Sequence, residues 1–341
     1  MFKGYIIYYI KMSKGFTNLG NTCYMNSALQ CLSHLPQLHP HNDSFILDCT
    51  KRQKKNDYNL MSEWFKLQKE MWNDKNDGVI NTSRILREFI KQCSMKDVFF
   101  QSFVQNDSQE FINLFIDLLH SSIKRKVKID ITGKPKTQYD LLKVDSIKAW
   151  GRFFEDDYSY IIKNFYSRIL SLTSCPECDY LAKNHEPIAT ITLSLNPGYE
   201  TIYDCLNEFI KDFTLDGDNS WKCEKCNKNV CPQKKINFWE LSPVLIFSIK
   251  QFRIGGKIDQ KIKFSEILNM EKYCLSKGNT NYTLNGICVH QGGLNGGHYY
   301  ALCKDHENGK WYRLNDTMST EVSIEDVLNE NPYCYFYTRI D

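Results

Sequence analysis

Two Cys-x-x-Cys units constrain the fold of this 341-residue chain more than any other feature of its sequence. They are Cys175-Pro-Glu-Cys178 and Cys223-Glu-Lys-Cys226. Two residues between thiolates let a tight turn direct both sulfurs at one ion, and two such turns complete a tetrahedral four-thiolate site. A site closed in this way is typical of structural zinc, so the sequence predicts a zinc ribbon. The alternatives are two coincidental surface turns, or a redox Cys-x-x-Cys unit, which needs only one pair and a thioredoxin-like βαβ context.

The other cysteines are assigned different roles. Cys231 lies close to the second unit, but its spacing suits a metal site less well. Cys205 shares the apolar face of a helical pattern with Ile202 and Phe209, which predicts a core position. Fourteen cysteines are a modest fraction of a chain of this length and do not indicate a disulfide framework. We therefore expect a reducing compartment, the cytoplasm or the nucleus.

Charge and hydropathy exclude several classes of protein. The 43 basic and 40 acidic residues leave a formal charge of +3, too small to indicate a nucleic-acid or membrane-surface partner. No apolar run approaches the roughly 18–20 residues that span a bilayer. The opening MFKGYIIYYIKM lacks the basic start and the small residues of a cleaved signal. We expect residues 1–13 to be an N-terminal extension, either an extra edge strand or read-through upstream of a start at Met12.

The order of the periodic patterns predicts the fold class. Apolar residues recur at helical spacing in 60–71 and 111–118, and Asp107-Ser-Gln-Glu110 is an acidic variant of the capping box that predicts a helix start. Short aromatic or β-branched segments follow: FYSRILSL, ATITLSL, VLIFSIKQF, HYYALCK, KWYRL and CYFYTRI. Helices first and strands afterwards predict an α+β fold with a largely antiparallel sheet, in one composite domain. We interpret the basic, aperiodic stretch 124–136 as a surface insertion.

One cysteine lies where a helix is predicted to begin, in NLGNTCYMNSALQ (residues 18–30). It has three candidate roles: a core side chain, a metal ligand or a nucleophile. Asn21 and Thr22 suit an N-cap. An apolar helical face follows at Ala28, Cys31, Leu32 and Leu35. Cys23 would then lie in the first turn, where unpaired N–H groups and the helix dipole favour a thiolate, and Asn18 could donate its amide to an oxyanion. We favour the nucleophile.

A histidine after a glycine-rich loop is the second candidate for catalysis. Gly296-Gly297-His298 opens the strand HYYALCK, and such a loop lets another backbone approach closely. A hairpin from this strand to KWYRL would return Asn315 to the side of His298, where its amide could hold one imidazole nitrogen. For an isolated histidine, a strand-end side chain bonded to a carbonyl is the commoner interpretation. The presence of Asn315 and Cys23 favours a Cys-His-Asn arrangement.

Several segments together resemble the ubiquitin-specific proteases. GFTNLGNTCYMNSALQCL resembles the Cys box of that family, GGLNGGHYYALCKDHENGKWYRLND its His box, and QNDSQEFINLFIDLLH the glutamine-aspartate motif between them. The two Cys-x-x-Cys units are similar to the zinc-binding fingers of the family. The resemblance covers residues 14–341. It implies a papain-like catalytic fold with a helical thumb (14–150), zinc-ribbon β fingers (151–245) and an antiparallel-sheet palm (246–341).

The resemblance also implies an activity, cleavage of the (iso)peptide bond after the C-terminal Gly-Gly of ubiquitin through an acyl-enzyme thioester. By position, Cys23 resembles the nucleophile, His298 the general base and acid, and Asn315 the residue that orients the imidazole. Asn18 matches the oxyanion-hole asparagine, and Asp316 an adjacent polar position that some members also use. The substrate-binding residues implied are Asp107, Gln105, Tyr299, Gly292, Gly293, Gly296 and Gly297. The implied cofactor is structural Zn²⁺ on Cys175, Cys178, Cys223 and Cys226.

One position of the glutamine-aspartate motif has two roles, and several positions depart from the family pattern. Asp107 has two compatible interpretations, a helix cap and an acidic contact for the arginines of the ubiquitin tail. The sequence departs from the family pattern at Asn106, Gln251 and Ser265, where Gln, Arg and Pro are common. We expect Gln251 and Ser265 to affect loop packing more than chemistry. Asn315 stands where some members have Asp and many have Asn, so this difference does not argue against activity.

Three alternatives to ubiquitin hydrolysis remain open. A peptidase for another ubiquitin-like modifier would have the same catalytic boxes. A silent ubiquitin-binding scaffold would have no reason to keep Cys23, His298 and Asn315 together. A zinc-ribbon interaction module would leave the Cys and His boxes unexplained. The expected partners are ubiquitin and ubiquitinated proteins, with no nucleic acid, no membrane and a monomeric chain.

Overall fold

The computed structural model describes residues 13–50, 59–73, 78–101, 103–217, 220–253, 256–293 and 296–340. The edge strand predicted in the opening segment lies outside them. Within these ranges, seven helices precede the first strand of the two main sheets, and two short helices lie among the strands. The helices are α1 (Cys23–Ser33), α2 (Asp43–Thr50), α3 (Asn59–Met71), α4 (Ser83–Met95), α5 (Ser108–Ile123), α6 (Gln138–Phe154), α7 (Tyr160–Phe165), α8 (Ile202–Phe209) and α9 (Ile324–Leu328).

The strands confirm the predicted α+β class. They are β1 (Ser167–Ser174), β2 (Leu181–Ile188), β3 (Thr190–Ser194), β4 (Phe213–Thr214), β5 (Trp221–Lys222), β6 (Asn229–Val230), β7 (Gln233–Glu240), β8 (Val244–Lys250), β9 (Phe252–Arg253), β10 (Gly256–Lys257), β11 (Ile267–Asn269), β12 (Asn281–Gly293), β13 (Gly296–Lys304), β14 (Trp311–Asn315), β15 (Met318–Val322) and β16 (Pro332–Arg339). The large sheet has the order β15-β14-β13-β12-β16-β8-β3, with β11 beside β12. Only its β3–β8 pair is parallel, so the prediction of a largely antiparallel sheet is confirmed.

Helix α1 lies in the interior, packed against α5 and against β12 and β13 of the large sheet. Every one of its residues is buried, including the apolar face predicted from the sequence. Burying a leucine side chain contributes about 1.5–3 kcal/mol, so the fully buried Leu29 and Leu32 help to hold the helix in the core. The amide nitrogen of the buried Gln30 also has a partner, because Nε2 donates to the carbonyl oxygen of Lys14 at 2.7 Å.

Helix α5 begins at the residue that the sequence predicts. Asp107 is its N-cap, and the carboxylate accepts hydrogen bonds from the backbone N–H groups of Gln109 and Glu110. Two of the unpaired N–H donors of the first turn are therefore satisfied, and the apolar face of α5 packs into the same core as α1. The cap fixes the helix start close to the residues of the candidate site described below.

A second core covers the opposite face of the large sheet. Helix α8 packs against β3 there, held at its start by a capping box between Thr201 and Asp204. Cys205 is fully buried in this core, as predicted. The segments β3 and α8 fall inside the range 151–245, yet they pack on the large sheet. The division at residues 150 and 245 stays a prediction.

The smaller sheet has the order β2-β1-β7-β4 and adjoins the short β5–β6 hairpin. The first Cys-x-x-Cys unit lies in the turn between β1 and β2, and the second in the turn between β5 and β6. The stretch 124–136 contains no helix or strand and is mostly exposed, which agrees with a surface insertion. In the described part of the chain, no helix combines the length and the apolar character needed to cross a bilayer.

Candidate active site

The loop before α1 is organised by one asparagine. Asn18 Oδ1 accepts hydrogen bonds from the backbone N–H groups of Gly20 at 3.0 Å and Thr22 at 3.2 Å. Thr22 occupies the N-cap position, but its hydroxyl makes no capping bond and instead accepts from the N–H of Leu19. The first N–H groups of α1 are therefore left without a side-chain cap. They are free to serve the thiol of Cys23, which begins the helix.

The electrostatics of Cys23 differ from the sequence-based expectation. The residue is 3% exposed, and this burial raises the pKa of the thiol. Hydrogen bonds from the backbone N–H groups of Tyr299, Tyr24 and Cys23 itself act in the opposite direction, while the negative charge of Asp316 raises the pKa further. The expectation of a lowered thiol pKa is wrong, because desolvation by burial outweighs the hydrogen bonds at the helix start.

This pKa direction predicts a pH dependence. A thiol whose pKa is raised is mostly protonated at neutral pH and gains nucleophilicity as the pH rises. We expect the rate of Cys23 alkylation by iodoacetamide in the free protein to keep increasing above pH 9. Mass spectrometry of the labelled peptide measures the rate, with the exposed Cys231 as an internal reference. A rate for Cys23 that reaches a plateau below pH 8 would contradict this expectation.

The predicted hairpin brings His298 and Asn315 together. Strands β13 and β14 pair antiparallel, and His298 Nε2 lies 2.5 Å from Asn315 Oδ1. Because an amide oxygen only accepts, this contact assigns the proton to Nε2 and leaves the lone pair on Nδ1. The side chain of His298 is 41% exposed, so a substrate has access to it.

Asp316 binds two asparagines. Its Oδ2 accepts from Asn18 Nδ2 at 2.9 Å, and its Oδ1 accepts from Asn26 Nδ2 at 2.8 Å. The distance from Oδ2 to His298 Nε2 is 3.9 Å, longer than a hydrogen bond. Asp316 therefore fixes Asn18 and α1, whereas Asn315 contacts the imidazole. Asn26 was missed by the sequence analysis because it looks like any polar residue of the helix.

The turn that carries Asp316 is closely covered by the start of the described chain. The backbone N–H of Phe16 donates to the carbonyl oxygen of Asp316 at 2.7 Å. A Cβ added to Gly15 would lie 2.4 Å from the carbonyl carbon of Thr317, so a side chain has no room at this position. This contact joins segments from opposite ends of the sequence at the candidate site.

The glutamine-aspartate motif contacts the same region. Gln105 Nε2 donates to the carbonyl oxygen of Gly297 at 3.0 Å. Asp107 caps α5 with Oδ1, and its Oδ2 accepts a hydrogen bond from the hydroxyl of Tyr333, whose ring centroid lies 6.0 Å from that of Tyr299. The cap interpretation of Asp107 is confirmed, and its contact with a substrate stays a prediction. Tyr333 was missed, since no motif surrounds it.

The four loop glycines extend the β12–β13 hairpin, with Gly292 opposite Gly297 and Gly293 opposite Gly296. Their surroundings differ. A Cβ on Gly297 would lie 2.2 Å from His290 Nε2, and Gly292 has a φ of +118° with no room for a Cβ beside the backbone of Gly296. A Cβ on Gly293 would meet nothing within 4 Å. The structure therefore requires glycine at 292 and 297, but not at 293.

A matched pair of substitutions tests this distinction. We expect Gly297→Ala to lower the rate of substrate hydrolysis by about tenfold or more. The new methyl group would clash with His290, so either that ring or the backbone at position 297, next to His298, must shift. Gly293→Ala should retain activity within about twofold, since its Cβ enters open space. Steady-state kinetics on one substrate compare the two variants. Equal activities would contradict the packing described for Gly297.

The four predicted metal ligands converge on the smaller sheet. The sulfurs of Cys175, Cys178, Cys223 and Cys226 all lie within 4.8 Å of one another. Two of the sulfur pairs, Cys175–Cys226 and Cys178–Cys223, are separated by 3.8 and 3.7 Å. A zinc–thiolate bond of about 2.3 Å gives a tetrahedron whose sulfurs are about 3.8 Å apart, so the group has the dimensions of a four-thiolate metal site. Cys231 is exposed and lies outside the group.

Comparison with protein families identifies the chain. The model of the ubiquitin carboxyl-terminal hydrolases matches residues 14–337. The chain belongs to the ubiquitin carboxyl-terminal hydrolase family. The resemblance to ubiquitin-specific proteases noted in the sequence is thereby confirmed.

Curated relatives in this family include ubiquitin carboxyl-terminal hydrolase Usp2 of Drosophila melanogaster, 30% identical over 95% of this chain and 34% of the relative. Human ubiquitin carboxyl-terminal hydrolase 2 is 29% identical over 95% of this chain and 54% of the relative. The probable ubiquitin carboxyl-terminal hydrolase R319 of Acanthamoeba polyphaga mimivirus is 27% identical over 96% of this chain and 90% of the relative. The chain thus spans between about a third and a half of the length of the first two relatives.

Solved structures of the family support the fold. A chain of the SAGA DUB module (Ubp8/Sgf11/Sus1/Sgf73) bound to monoubiquitin superposes with a TM-score of 0.72 at 25% identity, covering 96% of this chain and 69% of that chain. The same module bound to ubiquitin aldehyde gives a TM-score of 0.70 at 25% identity, with 96% and 70% covered. The predicted fold class is confirmed.

Proposed function

We propose that this chain is a deubiquitinase, a thiol-dependent hydrolase that cleaves the (iso)peptide bond after the C-terminal Gly-Gly of ubiquitin. The observation that carries the proposal is the convergence of three elements: Cys23 begins α1, the N–H of Tyr299 bonds its thiol, and the residue before Tyr299 is His298, itself bonded to Asn315. This is the set of groups that acyl transfer by a cysteine requires.

In the proposed mechanism, the lone pair on His298 Nδ1 accepts the proton of the Cys23 thiol as the sulfur attacks the terminal glycine carbonyl. The imidazolium then gives that proton to the departing lysine amine, and a thioester remains. Water activated by the same nitrogen hydrolyses the thioester. Asn315 Oδ1 accepts from Nε2 throughout and keeps Nδ1 directed at the reaction.

The oxyanion of the tetrahedral intermediate would be stabilised by two kinds of donor. One is the uncapped N–H group at the start of α1, and the other is the side-chain amide of Asn18. Asp316 holds that amide with one of its two hydrogens, which leaves the second for the oxyanion. We therefore assign Asp316 a positioning role: it acts on the reaction through Asn18.

The substrate tail would run past the β12–β13 hairpin. Backbone packed this closely around Gly297 suits a tail that itself lacks Cβ atoms, as Gly-Gly does. The carboxylate of Asp107 is placed to attract tail arginines while it caps α5. Residues that would line this path are Gln105, Asp107, Gly292, Gly293, Gly296, Gly297 and Tyr299.

Zinc has a structural role in this proposal. Cys175, Cys178, Cys223 and Cys226 would hold the ion, and four thiolates leave no open position for substrate or water. The ion would fix the two turns on the smaller sheet, which we propose grips the globular body of ubiquitin. We further propose that the chain acts as a monomer in the cytoplasm or nucleus, where its fourteen free cysteines stay reduced.

A panel of modifier probes tests the proposal. Ubiquitin carrying a C-terminal thiol-reactive warhead should form a covalent adduct with the wild-type chain at Cys23. The same warhead on other ubiquitin-like modifiers serves as the matched control and should label far more slowly. Labelling by another modifier alone would support a peptidase of that specificity, and binding of ubiquitin without labelling would support a silent scaffold. Either outcome overturns the proposed function.

A further inference from the structure

A lysine–histidine pair lies beside the hairpin that carries His298: the buried His290 on β12 of that hairpin, and the half-buried Lys257 on β10. Lys257 Nζ donates to the carbonyl oxygen of His290 at 2.6 Å and lies 3.3 Å from Nδ1 of the same residue. An ammonium group has no lone pair, so Nδ1 must accept, and the ring proton resides on Nε2. Two contacts from one ammonium group fix both the backbone and the ring of His290.

The ring of His290 is held neutral and rigid. It is 7% exposed and packs against Tyr299 and Phe252, with ring centroids 4.5 and 5.4 Å away. Burial lowers the pKa of His290 to about 4, and the charge of Lys257 acts in the same direction. Asp107 opposes this shift, and His298 adds to it. The proposed reaction uses neither His290 nor Lys257.

The fixed ring of His290 contacts Gly297, the residue before His298. Its Nε2 atom lies against the Cα of Gly297, because a Cβ built on that glycine would be 2.2 Å from Nε2. In a second contact, Gln105 Nε2 donates to the carbonyl oxygen of Gly297. That carbonyl belongs to the peptide that links Gly297 to His298. The residue before the proposed general base is thus held by two separate contacts.

We propose that Lys257 is a positioning residue, which orients His290 so that this ring and Gln105 together fix the Gly297–His298 peptide and the direction of the His298 imidazole. The inference rests on the proposed function for its readout. It adds the short β9–β10 hairpin, which carries Lys257 opposite Phe252, to the elements that support catalysis. A displacement of an imidazole by about 1 Å costs up to about a hundredfold in rate, so such support is of measurable value.

Kinetics on ubiquitin with a C-terminal fluorogenic amide test the proposal. Lys257→Met removes the ammonium group and keeps most of the bulk, and we expect kcat to fall about tenfold while KM changes by less than about twofold. Lys257→Arg keeps a donor and should recover most of kcat. The matched control is Lys261→Met, which removes an exposed lysine whose Nζ also bonds a backbone carbonyl oxygen, that of Asn329, and should leave both constants unchanged.

A double-mutant cycle separates positioning from general stability. If Lys257 acts through the ring, Lys257→Met should have no further effect in a His290→Leu background. Losses that simply multiply would overturn the proposal, as would an unchanged kcat in Lys257→Met or an effect confined to KM. Melting curves establish whether each variant is folded at the assay temperature. If Lys257→Met is not folded, Lys257→Gln takes its place. A wild-type chain without activity would refute the proposed function. An active wild-type chain whose kcat is unchanged by Lys257→Met would refute only this inference.

Discussion

Replacing Cys23 with alanine is expected to lower kcat/KM for ubiquitin hydrolysis by about four orders of magnitude or more. The thiol is the one group at the start of α1 able to form a thioester, and loss of a nucleophile leaves only the contribution of binding and oxyanion stabilisation. The fold should be unaffected, because the side chain is small and the remaining residues of α1 stay buried. Steady-state hydrolysis of ubiquitin with a fluorogenic C-terminal amide measures the effect.

Cys231→Ala is the matched control for this experiment. Its thiol is exposed and belongs neither to the helix start nor to the four-cysteine group, so activity should match the wild type. The Cys23→Ala variant should still bind ubiquitin, since the proposed tail-binding residues remain. Calorimetry measures this binding. A Cys23→Ala variant that keeps more than about 1% of the wild-type rate would show that another group is the nucleophile.

Replacing Cys178 and Cys226 with serine is expected to abolish metal binding and to unfold the turns of the smaller sheet. The buried cluster around these turns consists of Cys175, Cys223 and Val230, which is too few apolar side chains to order the region alone. A structural four-thiolate zinc site contributes about 10–16 kcal/mol of apparent binding free energy at neutral pH, which then becomes folding free energy. Elemental analysis should find one zinc per wild-type chain and none in the variant.

The effect on kinetics should differ from that of Cys23→Ala. We expect KM for ubiquitin to rise while kcat changes little, because the four cysteines belong to other strands and turns than the residues proposed to perform the chemistry. Cys231→Ser controls for the loss of a thiol near the second turn and should keep its zinc. A double variant that retains zinc, or that loses it with unchanged protease resistance and KM, would contradict the structural role.

Much of this site follows from local patterns. A cysteine at a helix start, a hairpin that returns Asn315 to His298, and two turns of Cys-x-x-Cys are each encoded within short segments, and the structure has them as predicted. The cap of α5 by Asp107 is equally local. Such features depend on spacing and on intrinsic turn and helix chemistry, which a single sequence displays.

Other features depend on packing between distant segments. The pKa of Cys23 is raised because the folded chain buries its thiol, and no pattern near Cys23 indicates that burial. Asp316 binds Asn18 and Asn26, residues from the opposite end of the chain. The difference between Gly297 and Gly293 arises from which one faces His290 across the hairpin. Register and tertiary contact decide these properties, and composition does not reveal them.

The position of β16 bears on whether the candidate site can form in a chain that lacks this strand. This last strand lies between β12 and β8 in the interior of the large sheet, and the strands on either side have no common neighbour without it. A nascent chain that has not yet extended past residue 332 carries the thiol and the imidazole on segments with no completed sheet to hold them. We therefore expect a chain truncated before Pro332 to lose the proposed hydrolysis altogether rather than to keep a reduced rate.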